Sequence, residues 1–108
     1  MRVKAMKQYD EPDQLIHAPV RLAILSALIS VREADFNFLK EVIDTSDGNL
    51  SVHLSKLEDA GYIEIHKSFV GKRPRTSCTM TEKGREAFKQ YVATIEQYIH
   101  PSDDRAEK

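Results

Sequence analysis

Apolar residues recur along this chain first at a helical spacing, then at an extended one, then at a helical one again. From Val20 to about Ser30 they fall at positions 20, 24, 25, 28 and 29, which predicts a helix with a wide buried face. Pro19 stands where that helix starts, because proline suits a first helical position and breaks an interior one. Pro12 is placed to open a shorter turn ahead of it. The run 35-DFNFLKEVID-44 puts Phe36, Leu39, Val42 and Ile43 on one side, with Asp35 as N-cap. In 45-TSDGNLSVHLSKLEDAGY-62, Ser46 caps a third helix, Leu50, Leu54 and Leu57 form its stripe, and Gly61 closes it.

The period then changes to two. In 62-YIEIHKSF-69, Ile63 and Ile65 alternate with Glu64 and His66, and 75-RTSCTM-80 sets Cys78 and Met80 on one face. Two strands are expected, joined by a turn over 70–74 that contains Gly71 and Pro74. Thr81 is placed to cap a last helix, 82-EKGREAFKQYVATIEQYI-99, and 101-PSDDRAEK-108 has the composition of a disordered tail. The organisation expected is an N-terminal arm over 1–11, one domain over 12–99 and a tail over 100–108.

The second and third helices are separated by very few residues around Asp44 to Ser46, the spacing of a helix-turn-helix. A hairpin directly behind the second helix of that pair makes it a winged helix-turn-helix. The fold class is therefore α+β and mostly α, with three helices, a two-stranded wing and a C-terminal helix.

At 108 residues the chain suits a single core. No apolar run approaches the roughly 18 residues of a membrane span. The N-terminus lacks the apolar stretch of a signal peptide, and the lone Cys78 fits a reducing compartment, so a cytoplasmic protein is expected. The net charge of -1 hides an uneven distribution. Residues 34–61 carry two basic and six acidic side chains; residues 62–85 carry six basic and two acidic. Three of those cations, Lys72, Arg73 and Arg75, crowd the predicted wing, an electrostatic footprint for a polyanion.

Several stretches resemble known regulators. The run 17-HAPVRLAIL-25 is similar to the opening helix of ArsR-like winged-helix repressors, and 46-SDGNLSVHLSKLEDAGYIE-64 resembles their recognition helix. The segment 68-SFVGKRPRTSCTMTEKGREAF-88 resembles the wing of MarR-like regulators and the helix that follows it. The whole, over roughly 15–99, looks like a small stand-alone winged-helix domain related to both families. The cysteine motif of metal-sensing ArsR members is missing, so metal sensing is not implied.

A DNA-binding face follows. With Leu50, Leu54 and Leu57 inward, the third helix offers Ser46, Gly48, Asn49, Ser51, Val52, Ser55 and Lys56 to a major groove. Asn49 can pair bidentately with adenine, the serines can bond to bases or phosphates, and Val52 can pack on a thymine methyl. Gly48 lets a phosphate approach the helix N-terminus. The wing adds Lys67, Lys72, Arg73, Arg75 and Thr76 on backbone or minor groove. In the last helix Phe88, Val92, Ile95 and Ile99 recur at spacings of 4, 3 and 4, on a rod of about 27 Å that outreaches a small body. A homodimer interface of Leu15, Ile16, Tyr91, Val92, Ile95, Tyr98 and Ile99 is expected, matching a pseudo-palindromic double-stranded operator. His17, His53, His66 and His100 show no metal spacing, and no nucleophile–base arrangement is legible. Neither a cofactor nor an enzyme is expected. The competing reading is a winged helix used as a protein-interaction module without a DNA role.

Overall fold

The computed structural model describes residues 10–100. The expected arm over 1–11 and tail over 100–108 lie almost wholly outside them. The chain opens on a turn in which the Asp13 carbonyl accepts from the backbone N–H of Ile16 at 3.1 Å and of His17 at 2.8 Å. Helix α1 follows over Pro19–Ile29 with proline in its first turn. A short strand β1, Ala34–Asp35, leads into α2, Phe36–Ile43, and α3 spans Asp47–Asp59. Strands β2, Ile63–Val70, and β3, Arg73–Met80, form the hairpin, and α4 runs over Glu82–Ile99.

The predicted caps act as caps. The Asp35 carboxylate accepts from the N–H of Phe38, the Ser46 hydroxyl from Asn49, and the Thr81 hydroxyl from Gly84. Each satisfies one of the N–H groups that a helix start leaves unpaired. Asp44 ends α2 in the left-handed region at φ 60°, a conformation aspartate tolerates better than most residues. The α2–α3 connection therefore needs only Asp44, Thr45 and Ser46. At the far end of α3, Gly61 has φ 82°, its N–H reaches the Glu58 carbonyl and the Tyr62 N–H reaches that of Leu57. This is the paired hydrogen bonding of a Schellman motif, and it turns the chain directly into β2.

The sheet has three antiparallel strands in the order β1-β3-β2. Strand β1 pairs Ala34 with Cys78 and Asp35 with Ser77. It was not expected from the sequence, because two residues are too few to show a period. The hairpin also differs from expectation. Its register pairs Phe69 with Pro74 and Val70 with Arg73, leaving only Gly71 and Lys72 in the turn. Gly71, at φ 67°, takes the first central position, where a two-residue hairpin turn of the II′ kind calls for glycine. Pro74 belongs to the strand. The turn-flanking pair of such a hairpin is hydrogen-bonded, so the next pair, Phe69–Pro74, is not, and β1 does not extend alongside it. Proline there forfeits no ladder bond.

One core joins these elements. Ile24, Leu25 and Leu28 of α1, Leu39 of α2, Leu50, Leu54 and Leu57 of α3, Ile63 and Cys78 of the sheet, and Ile16 of the opening turn are all buried together. Helix α4 packs on this core through Gly84, Tyr91 and Thr94, while Phe88 and Ile95 lie at the edge of its inner face.

Candidate nucleic-acid interface

Helix α3 is held from behind. The Arg21 guanidinium donates from Nε to the Leu15 carbonyl at 2.5 Å and from a terminal nitrogen to Nδ1 of His53 at 2.9 Å. Since a guanidinium can only donate, Nδ1 of His53 must accept. Burial, reinforced by Arg21 and Lys56, lowers the His53 pKa below its ordinary 6.5, which favours that neutral imidazole. Arg21 thus ties the opening turn, α1 and α3 into one body. Sequence reading did not single out either residue for this role, although Arg21 lies within the opening-helix motif.

The face of α3 turned away from the core is a polar surface. Gly48, Asn49, Ser51, Ser55 and Lys56 are exposed, and Val52 is 52 % exposed. Ser46 contributes through its cap at the helix start. The Asn49 amide donates to the Thr45 hydroxyl at 2.8 Å, so a bidentate pairing with a base requires this bond to be released. Asp47, which would repel a phosphate at the helix N-terminus, is paired with Lys40 at 2.6 Å. The pair is exposed and adds little stability, but it offsets negative charge at the point where a duplex would approach.

Beside α3 runs an open groove of about 310 Å³, lined on one wall by Ser51, Leu54 and Ser55 and on the other by Ile65, Lys67 and Thr76, with Phe36 between them. The strand alternation that buries Ile63 also turns Lys67 and Thr76 toward the helix, so two of the predicted wing residues share a surface with the predicted helix residues. Lys72 and Arg73 are exposed at the tip. Arg75 differs from the other cations. It sits 3.9 Å from the carboxylates of both Glu33 and Asp35, and Glu33 is itself fixed by a hydrogen bond from the buried Ser77 hydroxyl at 2.5 Å. Its charge is therefore partly met within the chain.

The residues expected at a dimer interface divide. Ile16 is fully buried and Tyr91 is 6 % exposed, with its hydroxyl hydrogen-bonded to Nδ1 of His17 at 2.8 Å. Both belong to the chain's own core, a correction to the expectation that placed them on an outer surface. Tyr91 falls one residue short of the outer stripe, on the side of α4 that carries Gly84 and Thr94. Val92, Tyr98 and Ile99 are exposed at 39, 46 and 60 %, and Leu15 and Ile95 are half-buried. Ile95 and Tyr98 line an open hollow of about 390 Å³ with Pro12, Gln14 and His17.

Cys78 is fully buried, and burial together with Glu58 and Glu33 pushes its thiol up to about 11. It is a core side chain. Among the described residues no group of three or more His, Cys, Asp or Glu is placed to hold a metal ion, and no helix is long and apolar enough to cross a membrane.

This arrangement recurs in known proteins. An uncharacterised protein of Methanocaldococcus jannaschii is 42% identical over 82 residues, which span 76% of this chain and 89% of that one. The solved structure of a transcriptional regulator homologue from Pyrococcus horikoshii is 30% identical with a TM-score of 0.80, covering 94% of this chain and 99% of that one. MepR of S. aureus, solved as a complex with DNA, shares the fold at a TM-score of 0.63 and 15% identity, over 96% of this chain and 80% of that one. The structural neighbours include transcriptional regulators of ArsR and MarR type. A family model described as a winged helix DNA-binding domain matches residues 20–99, and with the helix-turn-helix, wing and polar α3 face in place the chain belongs to that family.

Proposed function

We propose that this protein is a homodimeric, sequence-specific regulator of transcription that binds double-stranded DNA in the cytoplasm. Helix α3 enters the major groove through Asn49, Ser51, Val52 and Ser55, with Ser46, Gly48 and Lys56 at its edges. Lys67, Lys72, Arg73 and Thr76 meet backbone or minor groove. Arg75, already close to two carboxylates, contributes less. The observation that carries this reading is the shared groove: Ser51 and Ser55 of α3 face Lys67 and Thr76 of the wing across it, with Lys72 and Arg73 exposed at the wing tip beyond. A protein-interaction module would need no such alignment of hydrogen-bonding side chains and cations along one face. The exposed stripe of Val92, Tyr98 and Ile99 supports the pairing of two copies, and the paired copies would set two α3 helices on a pseudo-palindromic site.

The test is retention of genomic DNA fragments followed by titration with salt. A DNA-binding protein retains a subset of fragments, and log K falls steeply and linearly with log salt. Retention of no fragment, or binding that ignores salt, would overturn the proposal.

A further inference from the structure

Charge does not account for the whole of the wing tip. Phe69 is 71 % exposed and Val70 62 % exposed, so both forgo the burial that large apolar side chains ordinarily gain. Strand alternation places Ile63, Ile65, Lys67 and Phe69 on one face of β2. That face is the wall of the groove beside α3, and Phe69 continues it outward, directly opposite Pro74. From Ile65, on the wall of that groove, four more residues lead to Phe69, a reach of about 13 Å at about 3.3 Å per residue.

We propose that Phe69, backed by Pro74, is a wedge that enters the minor groove flanking the α3 site and partly unstacks a base step there. The inference rests on the DNA-binding reading above. Charge complementarity selects the occupant. Lys67, Lys72 and Arg73 lie within four residues of Phe69 along the hairpin and draw phosphates to both sides of it, whereas an apolar protein surface would leave those cations unpaired. Apolar side chains inserted between base steps kink a duplex toward the major groove. That bend would fold the DNA around the wing. Pyrimidine–purine steps unstack most readily, so the protein would prefer them at the flanking position while touching no base edge there.

The experiment uses a duplex that the full chain selects from a randomised pool, with 2-aminopurine placed about half a turn from the α3 footprint. Wild type is expected to raise the 2-aminopurine fluorescence and to bend the duplex. Phe69→Ala should lose both signals and about tenfold in affinity, and Phe69→Leu should recover part of each. The salt slope should stay at the wild-type value, because the cations remain. Since the side chain is largely exposed, both variants should melt as wild type does. Equal affinity and bending by Phe69→Ala, no fluorescence rise with wild type, or a loss accompanied by an altered salt slope would each overturn the wedge alone. A wild type that selects no duplex overturns the DNA-binding reading and the wedge together.

Discussion

A β-carbon added to Gly84 would collide with the carbonyl group of Tyr62. The close approach has a local cause. The Thr81 N–H donates to the Tyr62 carbonyl at 3.0 Å, and the Thr81 hydroxyl donates to the Gly61 carbonyl at 2.6 Å while accepting from the Gly84 N–H at 2.9 Å. The start of α4 is thereby fastened to the chain just as it leaves α3. The Thr81–Gly84 spacing is a packing device that sets the start of α4 against the end of α3.

Gly84→Ala should therefore destabilise the protein although alanine is the better helix former. The propensity gain is about 1 kcal/mol, and the backbone displacement should cost about 3 kcal/mol. Urea unfolding should show a lower midpoint with an unchanged slope. A variant as stable as wild type would mean that the α4 start can move freely.

The wing cations should act additively through salt. Changing Lys67, Lys72 and Arg73 to alanine is expected to weaken binding to all sequences alike, with the slope of log K on log salt shallower by about 0.9 for each lost phosphate contact. Arg75→Ala should change the slope less, because Glu33 and Asp35 already face it. An equal change for Arg75 would show that those carboxylates release it on binding.

Asn49 and Ser51 should control choice among sequences. Replacing either by alanine is expected to reduce discrimination between operator variants by about 1–3 kcal/mol while non-specific binding stays nearly the same. Thr45→Val offers a finer test. It removes the hydroxyl that holds the Asn49 amide, so it should leave specificity intact or sharpen it. Uniform loss across all sequences would place Asn49 on the backbone of the duplex.

Self-association is best tested at Ile99, which is 60 % exposed and whose replacement should spare the core of its own subunit. In a paired protein Ile99→Asp would bury an unpaired charge. It should sediment as a folded monomer and lose about 100-fold in operator affinity, as one half-site is engaged without the other. A variant that remains a dimer with full affinity would move the interface elsewhere.

Alkaline pH should loosen the fold from within. Cys78 is raised from the ordinary 9.0 to about 11 by its burial, and Tyr62 from 10.0 to about 12 by burial and its hydrogen bond to Asp13. The folded chain keeps these protons to higher pH than the unfolded chain does. Stability is then complete below pH 9 and declines as pH rises toward 11, for Cys78 by at most about 1.4 kcal/mol per pH unit. Cys78→Ala should remove the first part of that decline in urea titrations at a series of pH values. The wild-type thiol should also react slowly with disulfide reagents at pH 8 until urea is added.

Much of this structure was legible because it depends on neighbours along the chain. Ser46 with Leu50, Leu54 and Leu57 announces a capped helix with one buried side, and Ile63 and Ile65 announce a strand. What depends on distant partners was not. Ile16 and Tyr91 look like surplus apolar residues until the opening turn folds against α4. Pro74 reads as a turn former, and only the hairpin register shows it at a position where no hydrogen bond is lost. Arg75 counts as a free cation until Glu33 and Asp35 are seen beside it. Exposure of Phe69 is likewise invisible, since in a period-two run it occupies the same phase as the buried Ile63.

The opening turn bears on how the molecule is made. The Asp10 N–H bonds to the Gln97 side chain at 3.2 Å, the Tyr98 hydroxyl to the Asp10 carbonyl at 2.9 Å, and His17 to Tyr91. These partners lie 74 to 88 positions apart. At about 5–20 residues per second, a growing chain waits about 4–18 seconds between the two ends of such a contact. The opening turn therefore leaves the ribosome well before the α4 residues that bond to it. The helix-turn-helix can assemble while synthesis continues, but the hollow beside Ile95 and Tyr98 exists only once α4 has been released.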